Sequence, residues 1–287
     1  MTMPESVRVE DWSRWVGRQE QAEDLIDLNR AAALRATLES QDPPFRPGDT
    51  LPPLWHWCYF WSMAPQSTLG PDGHGARGEF LPPIDLPRRM WAGSRVSWRR
   101  DLPLGAAARK VSRIEKVSLK EGRSGPLAFV TVRHEVSGAA GVALVEEHDI
   151  VYRQAAGAHD RPAPVRAAPS DSSWRRTITP DPVLLFRYSA LTFNGHRIHY
   201  DQPYVTGAEG YPGLVVHGPL LATLMVDLAR RHAAGRVIES FTFRAVSPVF
   251  DLAPIAVCGR DRGDNAAVWI EGGQGQLCMQ GEVSFKS

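Results

Sequence analysis

What most constrains this chain is the order in which its strand-like segments arrive. Residues 91–100, 106–120, 127–137 and 142–153 are enriched in Val and Ile and separated by turn residues, with no helical pattern between them. Strands that follow one another directly pair antiparallel, because a parallel neighbour needs a crossover of a dozen residues or more. The pattern returns later: a segment over 183–192, a helix from Pro219 to about Ala234, then strands over 237–246, 253–260, 266–271 and 277–285. A helix followed by four strands, twice over, predicts an α+β fold with two antiparallel sheets each wrapped on a helix, and excludes a doubly wound one.

The remaining segments set the boundaries. Residues 12–39 carry Trp15, Leu25, Leu28, Ala32, Leu34 and Leu38 on a loose helical period without proline, which predicts a long helix in one or two pieces. Prolines 43, 44, 47, 52 and 53 end it, and the aromatic run 54–63 reads as a buried strand. Residues 64–90 are rich in Gly and Pro and read as a long excursion of the kind that serves as a lid. Residues 155–175 lose both periodicities and read as a linker, with a boundary near residue 165. A chain of 287 residues has room for two cores of about 130 residues each, so the expected units are 1–160 and 176–287. In the second helix Leu220, Leu221, Leu224, Met225 and Leu228 form a broad apolar face, while Arg230, Arg231 and His232 suit its C-terminal end and Gly235 can close it.

Charge and cysteines exclude several function classes. With 33 Lys and Arg against 32 Asp and Glu, the chain has no global field to gather nucleic acid or an anionic membrane surface. Cys58, Cys258 and Cys278 are odd in number and lack CxxC spacing, which argues against a disulfide framework and a zinc site and points to a reducing, cytoplasmic setting. Glu5, Glu10 and Asp11, with no apolar run after them, read as neither a secretory signal nor a transit peptide, and no stretch approaches the roughly 18 apolar residues of a membrane helix.

The chemistry-bearing residues concentrate in 188–201 and 213–219. His199 titrates where one group can serve as both acid and base. Asn194 can orient a water by hydrogen bonding but cannot accept its proton. A glycine at a helix start, Gly218, presents an uncrowded N–H at the positive end of the dipole, and Pro219 costs nothing in that first turn. His217 is open between a substrate contact and a helix cap. His196-x-x-His199 has a zinc-like spacing but no further ligand follows, so no metal is expected. Gly272-Gly273-Gln274-Gly275 reads as a turn, and neither Ser189 nor Cys258 lies in a nucleophile elbow.

These residues carry a family resemblance. The signature of MaoC-like hydratases and dehydratases, Asp-x-Asn-Pro-x-His, is followed some twenty residues later by a turn ending His-Gly or Ala-Gly. Here Asn194 takes the Asp place, His196 the Asn place, Arg197 the proline place and His199 the His place. The string Asn194 to Asp201, with Arg88-Arg89-Met90-Trp91-Ala92-Gly93, is closer to a long branch that includes type 2 hydroxyacyl-thioester dehydratases and hydratases of mesaconyl-CoA and itaconyl-CoA. The resemblance implies a double hotdog with a degenerate first half, one active site in the second half, a pantetheine tunnel between them, and a homodimer. It implies an acyl-CoA substrate, with coenzyme A as part of it, and no metal or redox cofactor.

Water attack at the β-carbon of an enoyl thioester loads charge onto the thioester oxygen, which the Gly218 N–H would stabilise. His199 would be the acid/base and Asn194 would place the water, with Asp201 structural or tuning. His217, Tyr200 and Arg197 are expected substrate contacts, and Arg197, Arg88 and Arg89 are candidates for a distal carboxylate. The alternatives are a dehydratase of fatty acid synthesis, a hotdog thioesterase using Asp201 or Asp227, and a non-catalytic acyl-thioester sensor.

Overall fold

Each half of the protein opens with a strand that the apolar pattern hides. In the computed structural model, which describes residues 12–75, 78–122, 125–154 and 165–286, the first half runs β1 (Gln19–Leu25), α1 (Leu28–Thr37), β2 (Arg88–Trp98), β3 (Ala107–Gly122), β4 (Gly125–Gly138) and β5 (Gly141–Arg153). The second runs β6 (Trp174–Ile178), α2 (Pro182–Thr192), α3 (Gln202–Gly207), α4 (Gly218–His232), β7 (Ile238–Ala245), β8 (Ile255–Asp261), β9 (Asn265–Glu271) and β10 (Leu277–Phe285). The ten strands form one sheet in the order β1-β3-β4-β5-β2-β7-β10-β9-β8-β6. Counted within its own half, each set of five has the order first, third, fourth, fifth, second. The two half-sheets are joined by antiparallel pairing of β2 with β7, from Gly93 opposite Arg244 to Ser97 opposite Ser240.

Three local expectations change. The helix expected over 12–39 is a 3-10 turn at Ser13–Trp15, then β1, then α1. β1 has the sequence QEQAEDL and lies at a sheet edge, where charged side chains face water and discourage further pairing, so it shows no apolar alternation. The aromatic run 54–63 is buried from Leu54 to Phe60 apart from a half-buried Trp57, while Met63 is exposed, and it forms a 3-10 turn at Trp55–Cys58 entered through Leu54 at φ 69°. It packs on α1 and α2 rather than pairing in the sheet. The meander holds for β3, β4 and β5, but β2 leaves it to sit between β5 and β7.

The long excursion divides. Phe80, Leu81, Ile84 and Leu86 pack in a core with Trp12, Trp15, Val130 and Tyr152, so this part is structural. Residues 155–164 of the expected linker lie outside the described residues.

α4 is the central helix, with ten buried residues in its fifteen. A helix apolar on most of its circumference must be covered on several sides. β8, β9 and β10 pack on it, and its Leu224 and Met225 share one core with Leu34, Trp55 and Val96 of the first half. α1 and α2 hold equivalent places in the repeat and pack on each other. Each is capped by an aspartate, Asp27 accepting from Arg30 N–H and Asp181 from Leu184 N–H. Among the described residues no helix is long and apolar enough to cross a membrane.

Candidate active site

The site begins where α2 stops. Phe193 turns the chain in the left-handed region at φ 50°, and the Asn194 N–H donates to the Ser189 carbonyl at 2.8 Å. The Asn194 Oδ1 then accepts the His196 N–H at 3.0 Å, a local turn typical of Asn. That bond occupies the amide oxygen and leaves the amide NH2 as donor. The following 3-10 turn, Arg197–His199, delivers His199 into the interior at 7% exposure.

His199 Nδ1 lies 2.6 Å from the Val215 carbonyl. A carbonyl only accepts, so Nδ1 carries the proton and Nε2 keeps the lone pair. Burial lowers the His199 pKa to about 4 against the opposing Val215 hydrogen bond, with the His74 charge adding to the shift. A neutral imidazole in this tautomer is a competent base near neutral pH.

Its ring stacks on His217, centroids 3.7 Å apart and planes 18° from parallel. His217 immediately precedes α4 and its side chain makes no cap to that helix; its Nε2 is 2.8 Å from the Ser189 hydroxyl instead. The imidazole of residue 199 is thereby held against the helix start that carries Gly218. The first N–H groups of a helix have no partner within it, and Pro219 has none to offer, so Gly218 supplies the leading donor. A Cβ built at Gly218 would meet only the Met279 methyl at 3.9 Å, so the space beside this backbone is open.

A loop from the first half closes over this strip. Leu69 bridges to Gly75, and Gly73, at φ +85°, lies so close to Gly195 that a Cβ there would collide with the Gly195 carbonyl. The Arg197 N–H donates to the Asp72 carbonyl and the Arg197 guanidinium to the Pro71 carbonyl, both at 2.9 Å. His74 Nδ1 is 2.8 Å from the Asp72 carboxylate, and the His74 and His196 rings are 4.1 Å apart. Asp72, His74 and His196 are the described residues whose donor atoms are close enough together to hold a cation. Burial, then the charges of His74 and His199, push the His196 pKa down to about 2.

Residues 54–251 match the family described as hydroxyacyl-thioester dehydratase type 2. The chain belongs to this MaoC-like family of hydro-lyases. It is 49% identical over 275 residues to the mesaconyl-C(4)-CoA hydratase of Chloroflexus aurantiacus, covering 96% of this chain and 98% of that protein. A MaoC-like dehydratase from Phytophthora capsici superposes with TM-score 0.68 at 16% identity, over 98% of this chain and 99% of that one. A Mycobacterium tuberculosis protein described as a double hotdog superposes with TM-score 0.58 at 13% identity, over 97% of this chain and 98% of that one. The duplicated five-strand unit is thus the double hotdog.

Within this type 2 dehydratase scaffold the expected substrate contacts separate. Arg197 is tied to Asp201 at 2.8 Å and lies 4.1 Å over Tyr204. Asp201 caps α3, accepting the Tyr204 N–H at 3.0 Å, and Tyr200 is exposed with its hydroxyl donating to the Gly195 carbonyl at 2.9 Å. These three side chains brace the loop that carries His199. Arg88 donates to the Glu209 carbonyl at 3.0 Å and lies over Tyr211. Arg89, next to it on β2, is half-buried and its side chain makes no hydrogen bond or ion pair among the described residues, while its charge acts on His196 and His148.

His148 belongs to a polar wall in the first half. Its ring lies 4.2 Å from that of Trp91, tilted by 34°, and Glu146 nearby accepts from Ser94 Oγ at 2.8 Å and Trp57 Nε1 at 3.0 Å, with His56 Nε2 at 3.2 Å. Burial would raise the Glu146 pKa, but the His56 hydrogen bond and the charges of His56, His134 and His148 override it and hold the group below the usual carboxylate range. Sequence reasoning missed this wall, the docking of Asp72 and His74, and the partners Ser189 and Val215. Val215 acts through its carbonyl, which any residue carries, and Ser189 reaches His217 across 28 residues, so neither leaves a local pattern.

Proposed function

We propose that the protein hydrates the double bond of a short dicarboxylic enoyl-CoA, with mesaconyl-C4-CoA the first substrate to test and itaconyl-CoA the second. The observation that carries this reading is the pairing of a tautomer-fixed His199 with the helix start at His217-Gly218. The thioester oxygen lies on the Gly218 N–H, the Asn194 NH2 holds a water, and His199 Nε2 takes a proton as the water oxygen bonds to the β-carbon. The π electrons move to the thioester oxygen as an enolate. The imidazolium then returns its proton to the α-carbon, which regenerates neutral His199. The reverse sequence is dehydration.

In mesaconyl-C4-CoA the free carboxylate is attached to the β-carbon that water attacks, so its cation must stand beside the reacting atoms. Arg197 and Arg88 are engaged elsewhere, whereas Arg89 is unpaired and half-buried. Arg89 is therefore the carboxylate partner in this reading. The thioesterase alternative needs a carboxylate to direct water at the carbonyl carbon. Asp227 lies nine residues along α4 from Gly218, roughly 13 Å at 1.5 Å per residue, and is bound by Arg230 and Arg231. Asp201 is held by the α3 N-terminus and Arg197.

The test is incubation with mesaconyl-C4-CoA. The enoyl-thioester absorbance should disappear without release of thiol titratable by dithionitrobenzoate, and thiol release matching the absorbance loss would favour the thioesterase. The pH profile follows from the lowered pKa of His199. The base must be neutral, so kcat/KM should hold as pH falls below 6.5 and drop only through about 4. A profile of kcat/KM against pH on still-folded protein, with its acid midpoint near 6.5, would contradict a buried His199 base.

A further inference from the structure

The mechanism above leaves unused the most deeply buried histidine of the site. His217 is 0% exposed, and among the described residues its Nδ1 has no hydrogen-bond partner. A buried polar atom without a partner is costly in a stable fold, and at a catalytic centre it marks a group awaiting a ligand. Its other nitrogen decides which atom carries the proton. The Ser189 hydroxyl is buried and its described hydrogen bond is to His217 Nε2, at 2.8 Å. If the hydroxyl donates, one unpaired group remains, the Nδ1–H. If Nε2–H donated instead, both the hydroxyl proton and the Nδ1 lone pair would be unpaired in the interior. The first arrangement is the cheaper, so Nδ1 carries hydrogen and is a free donor.

The position of that donor is fixed by covalent structure. Nδ1 is joined to the Gly218 nitrogen through Cγ, Cβ, Cα and C of residue 217, so the two N–H groups are no more than about 6 Å apart. Two donors at that spacing can converge on one oxygen at ordinary hydrogen-bond length. The ring plane is set by the stack on His199 and the edge by Ser189, so neither donor needs to reorganise as charge develops. Burial, followed by the neighbouring charges of His199 and His196, keeps the ring neutral. It therefore acts as a hydrogen-bond donor and not as a second acid.

We propose that His217 is a catalytic residue, whose Nδ1–H binds the thioester oxygen beside the Gly218 N–H, and that Ser189 is a positioning residue fixing its tautomer. This assignment rests on the enoyl-thioester reading above. It explains why the residue before the helix is an imidazole that makes no cap: the side chain is turned to Ser189 and His199 and keeps one N–H for the substrate.

The test uses butanoyl-CoA labelled with carbon-13 at the thioester carbonyl, which binds but cannot be hydrated, and reads its infrared carbonyl stretch. In the wild type the bound band should move to lower frequency than in free solution. In His217→Phe, which keeps an aromatic ring against His199, about half of that displacement should be lost, and kcat for an enoyl-CoA should fall about 10²- to 10³-fold with KM changing less than about threefold. Ser189→Ala leaves the imidazole in place but frees its tautomer. It should give an intermediate band and a loss of kcat of about tenfold, and it keeps the question open to measurement if His217→Phe does not fold. A carbonyl band at the wild-type position in either folded variant would overturn the assignment. A wild-type enzyme that shifts the band but hydrates no enoyl-CoA would refute the hydratase reading while supporting the donor pair.

Discussion

His199→Gln is expected to lower kcat for hydration about 10²- to 10⁴-fold, the range that one positioned acid/base contributes. Glutamine keeps an N–H able to meet the Val215 carbonyl, so the loop from Asn194 to Asp201 retains its shape. It has no basic nitrogen, so water bound at the Asn194 amide has nowhere to send its proton. Asn194 cannot substitute, because its oxygen already accepts the His196 N–H and an amide is not a base at neutral pH. Asp201 cannot either, since Tyr204 N–H and Arg197 hold its carboxylate and lower its pKa. Steady-state rates on the folded variant, checked by circular dichroism, measure the effect. A loss of less than about tenfold would move the base elsewhere.

Arg89→Gln is expected to change what the enzyme prefers more than how fast it works. Removing one partner of a desolvated charge pair costs about 2–4 kcal/mol, within the range seen at buried interfaces. That corresponds to roughly 30- to 700-fold in kcat/KM for mesaconyl-C4-CoA, at 1.4 kcal/mol per tenfold. Crotonyl-CoA has a methyl and a hydrogen on the β-carbon and no carboxylate, so its kcat/KM should change less than about threefold. The comparison within one variant separates carboxylate binding from damage to the site, and parallel losses on both substrates would remove Arg89 from this role. Arg88 and Arg197 are poor subjects for the same test because they anchor Glu209 and Asp201, and replacing either disturbs the loops themselves.

How much of this was legible in the sequence depended on the kind of signal each element leaves. β3 to β5 and β7 to β10 were readable because they are runs rich in β-branched and other apolar residues with turn residues between them. β1 was not, because an edge strand such as QEQAEDL buries little and its few apolar residues fell on a helical period with those of α1. The turn at Trp55–Cys58 is as apolar as a strand, and only its packing on two helices makes it something else. At the site, His199, Asn194 and Gly218 were visible as a local string followed by a helix start. The arginines were visible as candidates but not distinguishable, since which one is free depends on Glu209 and Pro71, each far in sequence from the arginine it holds, as well as on the local pair of Arg197 with Asp201. The excursion over 64–90 has two parts that composition alone does not separate: 69–75 dock on Gly195 and Arg197, whereas 80–86 pack into a core.

In the proposed reaction one imidazole passes a proton from water to carbon while the thioester stays intact. Turnover of mesaconyl-C4-CoA in water enriched in oxygen-18, followed by mass spectrometry of the product, tests it directly. The expected product is an acyl-CoA heavier by one labelled water, with the label in a hydroxyl on the β-carbon and the thioester uncleaved. Label recovered in a carboxylate of a released acid, alongside free coenzyme A, would contradict it.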